Sequence, residues 1–179
     1  FIGSTMELFW KGHPKEWLDL IFYNVKLFPD ITFQFLTKQP QNLMQFNPFP
    51  RNCWIGATVT NYDNYLWAMA FLNQISAKVK FLSIEPFLSQ FWLRDWEYQK
   101  PLNASLDWVI IGQQTPIRKA TMPKIKWIED IVKACDKARI PVFLKDNLIS
   151  CVDQYEFAFS GQWPDIKLRQ EFPVQLLRR

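Results

Sequence analysis

The stretch that decides the fold is Lys80-Phe81-Leu82-Ser83-Ile84-Glu85-Pro86, a short apolar run that stops abruptly at polar residues. The same pattern occurs five more times along the chain, at residues 1–5, 32–38, 53–60, 108–113 and 141–146. Between these runs, apolar residues recur at helical spacing over 15–28, 64–74 and 124–138. Apolar strands that alternate with helices predict a parallel sheet that is buried on both faces. The polar residues that end the strands are therefore expected to meet at the carboxyl edge of the sheet.

The length and spacing of these runs predict one α/β domain over residues 1–179. Its β/α units occupy 1–148, and 149–179 form a C-terminal cover. Right-handed crossovers leave two architectures, a doubly wound open sheet or part of a barrel. A nucleotide-binding doubly wound sheet would carry Gly-x-Gly-x-x-Gly after a strand, and none of the five glycines is so arranged. We therefore predict a partial (β/α) barrel of about six parallel strands, similar to part of a TIM barrel.

Composition sets broad limits on the function. The chain is 49% apolar and 17% aromatic, which is ample for a folded core. Its formal charge of +4 fits either a mixed solvated surface or a weak attraction to nucleic acid. No apolar stretch is long enough to cross a bilayer and no signal peptide is visible, so a cytoplasmic protein without a membrane partner is expected.

The cysteines and the histidine argue against metal and triad chemistry. Cys53, Cys135 and Cys151 are scattered and form no Cys-x-x-Cys pair, so no zinc or redox motif is visible. An odd, sparse cysteine count also fits a reducing compartment. The single histidine, His13, is predicted in a surface turn and cannot supply a histidine-rich metal site. No metal site is predicted.

The strand ends supply the candidate pocket. Two lysines there offer cations for a carboxylate or phosphate, and Glu85 could accept a hydrogen bond from a ligand amine or hydroxyl. Gly112 would let a ligand approach the backbone closely. As an alternative, Lys38, Glu85 and Lys145 could form ion pairs that close the mouth of the sheet. The candidate pocket residues are Ser4, Lys38, Thr58, Asn61, Ser83, Glu85, Gly112, Gln113 and Lys145. Other polar residues at these strand ends are Thr5, Glu7, Thr37, Thr60, Gln114 and Asp146.

The crossover over residues 89–105 is irregular and unusually aromatic. It holds Phe91, Trp92, Trp96 and Tyr98 among charged residues. These rings could stack on bases or a nucleoside, or they could pack over the end of the barrel.

Several segments together resemble the phage gene-product 37/68 family, a domain-of-unknown-function group related to radical-SAM enzymes. The resemblance runs from residue 1 to about 148, with a weaker match at 171–173. Its most specific parts are the Leu-Thr-Lys-x-Pro pattern at 36–40 and the Phe-Leu-Ser-x-Glu-Pro pattern at 81–86. The segments that carry the resemblance are 1–9, 33–40, 52–59, 81–88, 107–112 and 141–145.

The resemblance implies a cofactor that this chain does not hold. In the family, an upstream three-cysteine motif binds a 4Fe–4S iron–sulfur cluster, whose open iron binds S-adenosylmethionine. No such motif is present here, so both groups are expected only in intact relatives and no cofactor is expected in this chain. The family's Gly-Gly-Glu-Ser segment is replaced by Gly112-Gln113-Gln114-Thr115, which loses one glycine and the acid. Ser4, Lys38, Ser83, Glu85, Gly112 and Lys145 match family positions.

These observations leave several hypotheses about function, and whether the chain is an enzyme stays open. The first is a radical-SAM-like protein that lacks its cluster, either a fragment or a degenerate member. Because the chain begins inside an apolar run, we expect pairing with a missing N-terminal segment or another chain. The alternative is a non-catalytic module that binds nucleic acid or a phage or host protein. A third is hydrolysis or transfer, with Glu85 as base and Lys38 or Lys145 as electrostatic stabiliser.

Overall fold

Five parallel strands form one sheet, in the order in which they occur along the chain. The structure is a computed structural model that describes residues 1–3, 6–90, 106–151 and 168–173. The strands are β1 (Phe33–Thr37), β2 (Cys53–Val59), β3 (Val79–Ile84), β4 (Trp108–Ile111) and β5 (Val142–Leu144). Five of the six predicted strands are thereby confirmed. The first apolar run contributes an isolated parallel bridge between Ile2 and Phe35.

The described strands form an open sheet. Ile2 lies beside β1, and Gln170 forms an antiparallel bridge to Phe143 in β5, so the two edges have different neighbours. Five strands at the usual spacing make a sheet roughly 20 Å wide, whereas small barrels usually close with eight. The sheet and the described helices together form an α/β fold. Pairing among the described strands does not close the sheet into a barrel.

Three helices connect the strands as the apolar spacing predicts. They are α1 (Lys15–Leu27), α2 (Tyr62–Leu72) and α3 (Ile125–Ala138). Helix α2 begins earlier than predicted because Asn61 caps it, accepting a hydrogen bond from the backbone N–H of Asn64 at 2.9 Å. Helix α3 ends at Arg139, which adopts the left-handed conformation with φ 57°. No described helix has both the length and the apolar character needed to cross a membrane.

The sheet has two different faces because successive strand side chains point to opposite sides. On the helix face, the apolar sides of α1, α2 and α3 pack against Phe35, Ile55, Leu82, Val109 and Val142. On the opposite side, which we call the aromatic face, the described strand residues form a second apolar cluster. Its members are Leu36, Trp54, Val79, Phe81, Trp108, Ile110 and Phe143. Sequential strand order with right-handed crossovers explains why the described helices all pack on one side.

The last described segment, 168–173, runs antiparallel to β5. The backbone N–H of Leu144 donates to the Arg169 carbonyl at 2.7 Å, and that of Glu171 donates to the Val142 carbonyl at 3.0 Å. The Trp108 indole Nε1 donates to the Glu171 carbonyl at 2.8 Å. This segment therefore borders the aromatic face. The predicted aromatic crossover, from 91 to 105, and residues 152–167 and 174–179 of the predicted cover lie outside the described residues.

Candidate functional site

A cavity of about 640 Å³ lies on the aromatic face and extends to the carboxyl ends of the strands. Its volume is typical of sites that bind small organic molecules. Its described polar lining consists of Glu7, Thr32, Gln34, Thr37, Lys38, Thr58, Ser83, Glu85 and Lys145. Its apolar lining includes Phe1, Ile2, Leu36, Trp108, Ile110, Phe143 and Phe172. The cavity thus combines polar strand ends with an aromatic base.

An ion pair between Glu85 and Lys145 forms one end of the cavity. The Lys145 ammonium donates to both Glu85 carboxylate oxygens, at 2.9 and 2.7 Å. Gly112 lies directly beside the pair, because a Cβ there would stand 2.8 Å from Glu85 Oε1 and 2.9 Å from Lys145 Cδ. The space that glycine leaves is thus filled by these two side chains. For these two residues, the structure shows the ion pair that the sequence left as an alternative.

Lys38, Thr58 and Ser83 form a polar row across three neighbouring strands. Thr58 and Ser83 are direct partners in the register of β2 and β3. Lys38 follows Thr37, which pairs with Ala57, so it lies beside Thr58. All three side chains line the cavity, and none has a hydrogen-bond or ion-pair partner among the described residues. The row can therefore donate hydrogen bonds to a ligand.

The Glu7 carboxylate is already engaged within the protein. It accepts hydrogen bonds from the Thr37 hydroxyl at 2.5 Å, the Lys38 backbone N–H at 2.7 Å and the Phe9 backbone N–H at 3.2 Å. The Thr37 hydroxyl in turn accepts one from the Gln39 backbone N–H at 2.9 Å. Glu7 therefore joins the segment after Ile2 to the end of β1.

Of the nine candidate residues, the structure places two, Asn61 and Gln113, away from the cavity, and it does not describe Ser4. Asn61 caps α2. Gln113 is 1% exposed and points away from the cavity, where it donates to the Ser150 hydroxyl at 2.7 Å and to the Asn147 carbonyl. Strand alternation explains this placement, since Gln113 follows Gly112 and so faces the helix side. Lys38, Thr58, Ser83, Glu85 and Lys145 line the cavity together, with Gly112 in contact.

Two buried polar atoms on the aromatic face have no partner among the described residues. They are Gln34 Oε1 and the Trp54 indole Nε1, and the two residues are direct partners in the register of β1 and β2. Gln34 also lines the cavity. Gln34 is not among the residues predicted from the strand ends. Its position in the sequence could have indicated a role, because a glutamine inside an otherwise apolar strand needs a hydrogen-bond partner when it is buried.

The three cysteines lie on the helix face, away from the cavity. Cys53, Cys135 and Cys151 are all fully buried and unpaired. Burial raises the pKa of Cys53 and Cys135 to about 12 and that of Cys151 to about 11. The thiols are therefore held in the protonated form. Across the part of the chain that the structure describes, no group of three His, Cys, Asp or Glu side chains is placed to hold a metal ion.

A family model described as "Protein of unknown function (DUF5131)" matches residues 1–154. The chain belongs to this family. The match includes all five strands, so every strand that forms the cavity of this DUF5131 member is part of the family domain. Phe172, at the border of the cavity, lies beyond the match. No curated protein and no solved structure matches the chain. Because the family description names no activity, we infer the function from the cavity.

Proposed function

We propose that this DUF5131 member binds a small organic molecule in the cavity of its aromatic face. One observation carries the proposal: polar groups without partners converge on a cavity whose base is aromatic. Ligand sites in parallel α/β folds occur at the carboxyl ends of strands, where loops and strand ends converge. A mainly apolar cavity with a few placed polar groups is also the usual form of such sites.

The frame proposed for this site is a segment of a radical-SAM-like (β/α) barrel. Its support is the sequential order of five parallel strands and the packing of the described helices on one face. In a barrel, that face is outside and the opposite face is inside. The aromatic face would then be the barrel interior. The segments at 36–40 and 81–86 add the family resemblance, which connects the group to radical-SAM enzymes.

The chain's own residues do not fit an iron–sulfur cluster. Such clusters are held by cysteine thiolates. Here all three thiols are buried on the helix face, and burial raises their pKa values well above neutral pH. The cavity contains no cysteine among its lining residues. We therefore propose that the chain's residues bind and orient a ligand, and we assign no cluster chemistry to them.

Binding can be tested with N-phenyl-1-naphthylamine, a neutral aromatic probe whose fluorescence increases in apolar surroundings. Leu36→Trp would fill the cavity, because Leu36 lines it and is partly exposed there. Leu66→Trp is the matched control, since Leu66 lies on α2 and is exposed outside the cavity. We expect Leu36→Trp to weaken binding about tenfold or more and Leu66→Trp to leave it unchanged. Equal binding by both variants, with unchanged circular dichroism, would show that the probe binds elsewhere.

Cluster binding can be tested by anaerobic incubation of the purified chain with iron and sulfide. We expect the protein to stay colourless after desalting, because its thiols are buried and protonated. A stable brown, oxygen-sensitive chromophore would contradict the proposal that the chain's residues hold no cluster.

Nucleic-acid binding is a second candidate, supported by an exposed group of rings at the start of α1. His13 stacks on Trp17 with ring centroids 5.4 Å apart and contacts Trp10 edge-on at 5.3 Å. Both tryptophans are about half exposed, and the neighbouring Lys11 and Lys15 are exposed as well. Aromatic rings beside cations are a common surface for single-stranded nucleic acid.

Fluorescence anisotropy with a labelled oligothymidylate tests this candidate. Binding should weaken steeply as salt rises, because phosphate contacts release counterions. It should also weaken about tenfold in the Trp10→Ala, Trp17→Ala double variant. Absence of binding at low salt would remove nucleic acid as a candidate.

A further inference from the structure

Of the two cations that line the cavity, Lys145 is paired with a carboxylate, whereas the ammonium of Lys38 has no ion-pair partner among the described residues. Four charged residues line the cavity, namely Glu7, Lys38, Glu85 and Lys145. Lys145 is paired with Glu85, and Glu7 accepts three hydrogen bonds from neighbouring groups. The ammonium of Lys38 is therefore the unpaired cation of the described cavity lining. A ligand that carries a negative charge would supply the missing partner.

Two hydroxyl groups stand beside this ammonium. Thr58 and Ser83 are adjacent in register, and Lys38 continues the same line on the next strand. We call these three residues the anion row. Neighbouring strands lie about 4.8 Å apart, so the row offers three donors along roughly 10 Å. Ser83 is only 3% exposed, which makes a hydrogen bond to its hydroxyl stronger than one at the surface.

The anion row leads directly to apolar surface. In register, Ser83 pairs with Ile110, and Ile110 pairs with Phe143. Phe143 packs against Trp108 and Phe172, with ring centroids 6.0 and 5.3 Å away, and those two rings are 5.5 Å apart. We call Trp108, Phe143 and Phe172 the aromatic floor. A flat ring that leaves water for this surface gains both apolar burial and ring contacts.

We infer that the cavity takes an aromatic anion, with its negative group on the anion row and its ring on the aromatic floor. The inference rests on the proposed function, because the row and the floor are walls of the same cavity. It adds the class of the ligand: a planar ring that carries one carboxylate, sulfonate or phosphate group. The paired Glu85 does not oppose such a ligand, since Lys145 neutralises its charge.

Two fluorescent probes that share an anilinonaphthalene ring system distinguish the contribution of the ligand's charge to binding from that of its rings. They are 8-anilinonaphthalene-1-sulfonate, an anion, and N-phenyl-1-naphthylamine, which is neutral. We expect Lys38→Gln to weaken binding of the anion about tenfold and to change binding of the neutral probe less than twofold. Lys78→Gln, at an exposed lysine outside the cavity lining, is the matched control and should change neither.

The hydroxyl groups give a second, smaller readout. We expect Thr58→Val and Ser83→Ala each to weaken the anionic probe about fivefold, with little change for the neutral probe. Both substitutions keep or reduce side-chain volume, so circular dichroism and thermal unfolding should confirm an intact fold. An unchanged affinity for the anion in both variants would overturn the assignment of the row.

The results distinguish this inference from the proposed function. If Leu36→Trp abolishes binding of both probes but Lys38→Gln and Lys78→Gln have equal effects on the anion, the cavity binds the probes and the assignment of the anion row is wrong. If Leu36→Trp affects neither probe, the proposed function itself fails. Selective loss of the anion in Lys38→Gln supports both.

Competition identifies the type of anion. The arms are phenyl phosphate, 3-phenylpropionate and the neutral 3-phenylpropanol, each used to displace the anionic probe. We expect one of the two anions to displace the probe at about tenfold lower concentration than the alcohol. The better anion then indicates whether a phosphate or a carboxylate is preferred. Equal displacement by all three compounds would overturn the inference.

Discussion

The two faces of the sheet use alternate residues of the same strands, yet they differ in how they are covered. On the helix face, Phe35, Ile55 and Leu82 are all 0% exposed beneath the helices. On the aromatic face, Leu36, next to Phe35, and Thr58, next to the fully buried Ala57, border a cavity and keep partial exposure. The comparison indicates that one face stabilises the fold while the other leaves room for a ligand.

The aromatic face is bordered by chain segments at its sides. Phe1 contacts Phe81 edge-on at 6.4 Å, and Phe172 contacts Trp108 on the opposite side at 5.5 Å. Between these two borders lies the cavity. Substitutions on the two faces should therefore have different costs, even when the residue type is the same.

Removal of a phenylalanine from each face gives the largest expected contrast. Phe35→Ala should lower the free energy of unfolding by about 3–5 kcal/mol, because it leaves a void among Phe9, Phe22 and the helices. Phe143→Ala should cost about 1–2 kcal/mol, since Phe143 borders the cavity and is partly exposed. Urea unfolding of both variants measures the difference. Equal costs would mean that the aromatic face is packed as tightly as the helix face.

The apolar pattern was sufficient to predict most of the fold. Near-continuous apolar runs predict strands well because a central strand buries both faces, and three helices followed from apolar spacing alone. The first run was predicted as a strand, and of its described residues, 1–3, only Ile2 pairs with the sheet. Apolar periodicity could not predict whether the sheet closes into a barrel. Closure depends on how the two edges of the sheet meet, and local periodicity carries no information about those edges.

The strand-end rule predicted part of the cavity lining, whereas the structure places two of its candidates, Asn61 and Gln113, elsewhere. Lys38, Thr58 and Ser83 line the cavity as expected, because they share the parity of the aromatic face. Gln113 has the opposite parity, and Asn61 is a helix cap. Strand spacing and capping rules could therefore have placed both side chains away from the cavity. That Lys145 pairs with Glu85 while Lys38 stays unpaired could not be predicted, since it depends on distances across the sheet.

Gly56→Ala tests packing within the aromatic face itself. A Cβ at Gly56 would lie 2.4 Å from the ring of Phe81, which is fully buried and cannot move freely. We expect the free energy of unfolding to fall by about 1–3 kcal/mol, the usual cost of overpacking. Urea unfolding measures it, and a Gly56→Ala, Phe81→Leu variant should recover part of the loss. No recovery would indicate strain in the backbone of β2 instead of a clash with the ring.

The buried thiols of the helix face should make stability depend on pH above 9. The pKa of Cys135 rises from 9.0 to about 12 on burial, so the thiol stays protonated in the folded chain while the unfolded chain ionises first. The stabilising contribution is complete below pH 9 and is lost as pH rises toward 12, by roughly 1 kcal/mol per thiol at pH 10. Urea unfolding at pH 8 and pH 10 measures the fall. Cys135→Ala should show a smaller fall, and an identical fall would contradict the assignment to this thiol.

Gly112→Ala has the smallest expected effect, although its added Cβ also meets close neighbours. Those neighbours are the ends of two flexible side chains, Glu85 and Lys145, which are 25% and 42% exposed. The substitution should displace their ion pair and lower the free energy of unfolding by less than about 1 kcal/mol. In a Glu85→Ala background the same change should become neutral or slightly stabilising, because the clash is removed and alanine restricts the unfolded chain. Urea unfolding of the four proteins measures this coupling. An equal cost in both backgrounds would mean that the backbone at the end of β4 requires glycine at position 112. The ion pair would then occupy the space beside Gly112 without depending on the glycine.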